Sequence, residues 1–203
     1  MKGPAYRIVT PRLVIRCWTP ADAPLLKEAI DSSIEHILPW LPWAVREPEP
    51  LEAKVAMCRK WRGNFDLDED YVYGVFSRDE TQVLGGTGLH LRSGPGSREI
   101  GYWIRASHVR QGLATELAAA LTRVGFEVDG VHRIEIHCDP ENAASAAVPR
   151  RLGYVHEATL RASLERPDGS FRATMIWTKL ATEHTAPLGG HLEAYGATGA
   201  RLL

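Results

Sequence analysis

The sequence comes closest to binding chemistry around Gly112. An extended run, EIGYWIR at 99–105, passes through a short loop into GLATE at 112–116, which opens the most regular amphipathic pattern in the chain. Leu113, Leu117, Leu121 and Val124 fall there on one helical stripe. A helix start carries unpaired N–H groups and a partial positive charge, so it can hold a phosphate. Gly112 would let a bulky anion approach the backbone, and Ala114 keeps the first turn uncrowded. The same residues would also serve a plain strand-to-helix connection. Neither GxGxxG nor GxxxxGKS/T is present to decide between the two.

Candidates for proton transfer lie nearby. Glu99 begins the extended run and shares its face with Gly101 and Trp103, so it is either a base, acting directly or through water, or a solvated strand end. Over residues 133–139, Arg133, Glu135, His137 and Asp139 alternate on one face. That face either lines a cleft, with His137 or Glu135 as an alternative base, or is solvated and ion-paired. Asn142 followed by Ser145 has the spacing of a helix N-cap. Trp40 and Trp43 sit in ILPWLPW, an apolar loop that either packs on the core or walls a binding site. Cys17, Cys58 and Cys138 form no CxxC pair and no metal-ligand spacing; they read as reduced thiols, and no metal is expected.

The chain has 203 residues, 44% hydrophobic and 24% charged, with a formal net charge of -1, which suits one sizeable domain with an ample core. The scattered basic residues do not form a nucleic-acid footprint. No apolar leader or membrane-length run is seen, so a cytoplasmic protein with neither a nucleic-acid nor a membrane partner is expected.

The elements that must position these residues read as a strand at 10–16, helices at 22–32 and 50–65, and strands at 71–76, 83–91 and 99–105. A long helix at 113–128, stopped by Gly130, leads to a strand at 133–138 and a helix from about 142. Strands at 155–162 and 172–180 follow, joined by a turn at Pro167, Asp168 and Gly169. Leu51, Val55, Cys58 and Arg62 should mark one face of the second helix. The middle three strands should form an antiparallel meander, and the strand-helix-strand unit from 99 to 138 a parallel pair. The tail from 182 to 203 is rich in Gly, Ala and Thr and composes as loose chain.

Five motifs in this order carry a resemblance: TPRLVIR at 10–16, LPWLPW at 38–43, EIGYWI at 99–104, RQGLATE at 110–116 and ENAASAAVPRRLGY at 141–154. Together they resemble the GNAT acetyltransferase superfamily, in its branch of RimJ/RimL-like N-terminal acetyltransferases, over residues 7–181 or so. The resemblance implies an α/β (α+β) fold: a mixed, mostly antiparallel sheet of six to seven strands with helices on both faces, in the order β-α-α-β-β-β-α-β-α-β-β. It also implies a GNAT domain over 1–181 and a C-terminal extension over 182–203.

For the site, the resemblance implies acetyl-CoA as cofactor. Its pantetheine arm would pair with the strand ending at Trp103, Ile104 and Arg105, and its pyrophosphate would lie on Arg110, Gln111, Gly112, Leu113, Ala114 and Thr115. The family pattern begins with Arg or Gln where this chain has Val109, and Arg110 is placed to restore the charge. Asn142 would hold the pantetheine and Ser145 would lie near the sulfur or phosphates. Many relatives carry a tyrosine acid seven residues after the Asn. Here that position is Pro149, expected to disturb the helix, so Ser145 or water must serve. Trp40, Trp43 and His137 would face the acceptor, while Tyr102 reads as core.

The reaction so implied is direct attack of a primary amine on a thioester, with Glu99 and Ser145 as catalytic residues and backbone N–H groups near Ile104 at the oxyanion. No nucleophilic cysteine is needed. The acceptor is expected to be the α-amine of a peptide or protein. The rivals are a small amine such as an antibiotic or polyamine, and a non-catalytic CoA-binding module. A homodimer is compatible with the sequence.

Overall fold

A computed structural model describes residues 4–166, 169–185 and 190–203. Pro167 and Asp168, expected in a turn, lie outside the described residues.

Short β-branched and aromatic runs form nine strands: β1 (Arg7–Val9), β2 (Leu13–Cys17), β3 (Tyr71–Ser77), β4 (Val83–His90), β5 (Ser97–Ile104), β6 (Arg133–Cys138), β7 (Val155–Glu165), β8 (Phe171–Leu180) and β9 (Glu193–Tyr195). They make one open sheet in the order β7-β8-β6-β5-β4-β3-β2-β1-β9. Among the described strands, β5–β6 is the parallel pair and the other neighbours are antiparallel. The two strands beyond the expected count, β1 and β9, have three residues each, too few to show a period. β9 pairs with β1, and Leu192 and Ala194 are buried there, so apolar side chains dock the compositionally loose tail.

Among the described residues, five helices cover the sheet: α1 (Ala23–Asp31), the single turn α2 (Ile34–Ile37), α3 (Leu51–Asp66), α4 (Leu113–Glu127) and α5 (Ala143–Arg151). The stripe Leu117, Leu121 and Val124 seats α4 against Ile15, Tyr73, Val75, Ile100 and Ile134 on one face. Burying each such side chain contributes about 1.5–3 kcal/mol. On the other face α1 and α3 pack with Val14, Trp18, Phe76 and Val83. The face of α3 buries Cys58 and packs Val55 as expected, and departs from the expectation at its start. Leu51 is 39% exposed, while Lys54 is fully buried, its charge met by Glu47 and Glu49. A lysine that brings its own carboxylates into the core has no local hydrophobic signal.

LPWLPW follows α2 as a turn at residues 38–40 and then enters a 3-10 turn, Pro42–Arg46. It thus avoids a regular helix interior. β7 and β8 form a long hairpin at the sheet edge, and β7 is largely exposed along its whole length.

Candidate active site

The site begins where two strands part. β5 and β6 pair only at Ser97↔Arg133, Arg98↔Ile134 and Glu99↔Glu135, although β5 runs on to Ile104 and β6 to Cys138. On its other side β5 stays paired with β4 through Ile104, and β6 stays paired with β8. The backbone of residues 101–104 is thus left open on its β6 side, a strand edge able to take an extended partner. Trp103 and Ile104 lie on this open stretch. Arg105 follows it, and its guanidinium bonds Glu28 of α1 at 2.7 Å, so its side chain braces a helix.

The open edge leads to the start of α4. Arg110 and Gly112 both have left-handed backbones, φ 61° and 78°. A Cβ on Gly112 would meet only Arg12 Nη2 at 3.6 Å, so glycine is needed for conformation rather than space. As the N-cap, Gly112 offers no side chain to the first-turn amides, including those of Leu113, Ala114 and Thr115. From the bend between β1 and β2, Arg12 fixes the loop. Its Nη1 donates to the Gln111 carbonyl at 2.8 Å and its Nε to Glu116 at 2.6 Å. Thr10 Oγ1 also donates to Glu116, at 2.7 Å. Glu116, which would oppose an anion at this helix start, is thereby neutralised. Arg110 is exposed and stands outside these pairs. Backbone geometry, dipole and a spare cation together fit a bound pyrophosphate.

Asn142 and Ser145 come to the same split from α5. Asn142 is the N-cap, its Oδ1 accepting the Ser145 N–H at 3.0 Å. Pro149 does not disturb the helix, which runs through it to Arg151. Tyr102, expected in the core, reaches across from β5, its hydroxyl 3.2 Å from both the carbonyl and the Oγ of Ser145.

Glu99 is no solvated strand end, being 5% exposed. Burial raises its pKa, but a two-pronged Arg92 guanidinium, with Nε at 2.7 Å, and the nearby His137 and His90 hold it below the ordinary range. His137 lies between carboxylates, Nε2 at 2.7 Å from Glu135 and Nδ1 at 3.6 Å from Glu99. Arg133 extends the network to Glu135 and to exposed Glu157. The alternating polar face is therefore an ion-paired network that ends at the point where β5 and β6 part.

Trp43 packs edge-on against Trp103, ring centres 6.3 Å apart, inside the helix-covered core. Trp40 lines a concavity of about 640 Å³ with Leu41, Glu141, Arg166 and Arg172. Buried Arg172 sets its shape by donating to the Pro39 carbonyl at 3.2 Å and the Trp40 carbonyl at 2.8 Å, with Asp139 at 3.6 Å. Sequence reasoning assigned no role to Arg12, Arg92 or Arg172. The available signal for Arg12 was its place in TPRLVIR beside a glutamate in RQGLATE.

A strand pair opening onto an uncapped, glycine-started helix defines the class of the protein. Residues 12–155 match the family model for the Acetyltransferase (GNAT) domain, so the chain belongs to the GNAT family and is an N-acetyltransferase. It is similar to the uncharacterized N-acetyltransferase YoaA of Bacillus subtilis, 28% identical over 75% of this chain and 84% of that protein. It is also similar to the ribosomal protein uS5-alanine N-acetyltransferase of Escherichia coli, 26% identical over 91% of this chain and 95% of that one. A solved structure of Mycobacterium smegmatis RimJ in complex with CoA-disulfide shares the fold, with a TM-score of 0.79, 24% identity, and coverage of 89% of this chain and 90% of that one. Among the described residues no helix is long and apolar enough to cross a membrane, and no cluster of three or more His, Cys, Asp or Glu is placed to hold a metal.

Proposed function

We propose that the chain transfers an acetyl group from acetyl-CoA directly to the α-amine of a peptide or protein. The observation that carries this reading is the parting of β5 from β6 beyond Glu99, which opens a strand edge toward the uncapped start of α4. The pantetheine would pair along residues 101–104, and the pyrophosphate would rest on the amides of residues 110–115 with Arg110 beside it. Acetyl-CoA supplies the activated acyl carbon. The protein supplies position, N–H groups for the oxyanion, and the hydroxyl of Ser145 near the departing sulfur. Trp40 and the concavity beside it would receive the acceptor chain, with His137 and Glu99 on the acceptor face.

The charge state of Glu99 supports the α-amine. Arg92 makes it a weak base. A lysine amine, pKa about 10.4, is roughly 0.04% neutral at pH 7, whereas an α-amine near 7.8 is roughly 14% neutral. That gap of about 2.6 units is worth about 3.5 kcal/mol, which a weak base offsets poorly. The relatedness to an enzyme named as an alanine N-acetyltransferase of a ribosomal protein agrees with this choice. For a short peptide with a free N-terminus, kcat/KM should exceed by at least about tenfold that of the same peptide with a blocked N-terminus and a free lysine. Equal use of the two would overturn the choice of acceptor.

A further inference from the structure

In a regular α-helix the N–H of residue 149 would donate to the carbonyl of residue 145. Pro149 has no N–H, yet α5 continues through it. The carbonyl released is that of Ser145, and it accepts the Tyr102 hydroxyl at 3.2 Å. The Ser145 Oγ lies at the same 3.2 Å from that hydroxyl. Rotation about the Tyr102 C–O bond therefore moves its single proton between a backbone carbonyl and a serine hydroxyl with little motion of heavy atoms.

The placement matters as much as the distances. Tyr102 stands on β5 just beyond Glu99, the last residue paired to β6, and so within the opening. The remainder of the Tyr102 ring packs against the α4 side of the core, which fixes the hydroxyl in position. Burial raises its pKa, so the proton stays on.

We propose that Tyr102 is a positioning residue which turns the Ser145 hydroxyl toward the sulfur of the acyl donor, the two hydroxyls together stabilising the departing thiolate. This rests on the reading of the split as the thioester site. As the amine nitrogen bonds to the acyl carbon and the C–S bond breaks, the electron pair stays on sulfur. Ser145 Oγ–H donates a hydrogen bond to that charge, while Tyr102 O–H swings from the carbonyl to Ser145 Oγ. Neither hydroxyl loses its proton. The amine's proton leaves to solvent, and the thiolate takes one from solvent on departure. Pro149 favours this arrangement, because no helical N–H at 149 shares the carbonyl on which Tyr102 rests.

The test is the titration of the CoA thiol when bound to the protein, read from the ultraviolet absorbance of the thiolate and referenced to the complex with desulfo-CoA. In the wild type the bound thiol should ionise at lower pH than free CoA. In Tyr102→Phe and in Ser145→Ala it should move back up, about tenfold less thiolate at a given pH for each unit. The double variant should be no worse than Ser145→Ala alone. In turnover, Tyr102→Phe should lower kcat by about tenfold with KM for acetyl-CoA unchanged, less than the loss of a donor that touches the charge directly. If CoA binds all the variants and its thiol titrates in them as in the wild type, the proposal is overturned. If the wild type binds no CoA, it is the reading of the split that fails. Should Tyr102→Phe not fold, Ser145→Ala decides the same point from the other hydroxyl.

Discussion

Two loops at the cleft are each tied by an arginine, Arg12 from the bend between β1 and β2 and Arg172 from β8, and the two arginines work differently. At the start of α4, Arg12 is 48% exposed and makes short bonds to a carboxylate and a carbonyl. At the Trp40 loop, Arg172 is buried, its hydrogen bonds go to two neutral carbonyls, and its carboxylate, Asp139, stands off at 3.6 Å. The first loop already has its shape from Gly112 and the helix behind it, so a solvent-screened pair adds little. The second makes its own backbone turns, with the Trp40, Leu41 and Ala44 N–H groups all bonded, and a desolvated guanidinium ties two of its carbonyls to β8. The start of α4 thus carries a solvent-screened brace, and the Trp40 loop a desolvated one.

The largest expected effect is at Arg172. Replacing it by methionine keeps the apolar stem, leaves Asp139 buried without its nearer cation and frees two carbonyls. The cost should be about 2 kcal/mol, below the 3–5 kcal/mol of a closely paired buried ion because Arg166 remains at 3.8 Å. The thermal midpoint should fall by about 4–8 °C, and KM for the acceptor peptide should rise while that for acetyl-CoA holds. An unchanged acceptor KM would break the comparison.

A third arginine sharpens it. Arg98 lies 3.4 Å from Asp129, and neither facing atom makes a hydrogen bond. Burial, only partly opposed by Arg98, pushes the Asp129 carboxyl up to about 6. A carboxyl whose folded pKa is raised binds its proton more tightly when folded, so its contribution to stability is fullest below the unfolded pKa, near 4. That contribution is lost as pH rises through about 6. Asp129→Asn should therefore flatten the decline in thermal midpoint between pH 4.5 and 7. At pH 7 it should gain about 1 kcal/mol, because the loss of Arg98's partner cancels part of the shift. A variant whose midpoint loses ground to the wild type as pH rises over this range would contradict the sign. The smallest effect is expected at Arg12→Ala, which should cost about 0.5 kcal/mol of stability and diminish in high salt. A loss of several kcal/mol there would mean that the first loop, too, hangs on its arginine.

The same contrast explains what the sequence revealed. The start of α4 was legible because a change of period, a glycine and a four-residue apolar stripe are all local. Asn142 as an N-cap was legible for the same reason. Arg12 and Glu116 are 104 residues apart, and Arg172 and Pro39 are 133 apart. In a local reading an arginine is simply solvated. Lys54 was hidden likewise, since its carboxylates come from the preceding loop rather than from its own helix face. Tyr102 read as core because its ring is core; only its hydroxyl, aimed at a carbonyl that Pro149 releases, belongs to the cleft. Pro149 looked like a helix breaker because the partner that replaces its missing bond comes from another strand.

If acetyl-CoA lies along the open edge of β5 with its phosphates on α4, hydrogen–deuterium exchange of the whole chain with and without CoA should reveal it. Exchange should slow at the amides of residues 102–105 and 110–115, with the β1–β9 edge unaffected. Protection confined to another surface, such as the concavity beside Tyr195 and Arg78, with none at the start of α4, would contradict it.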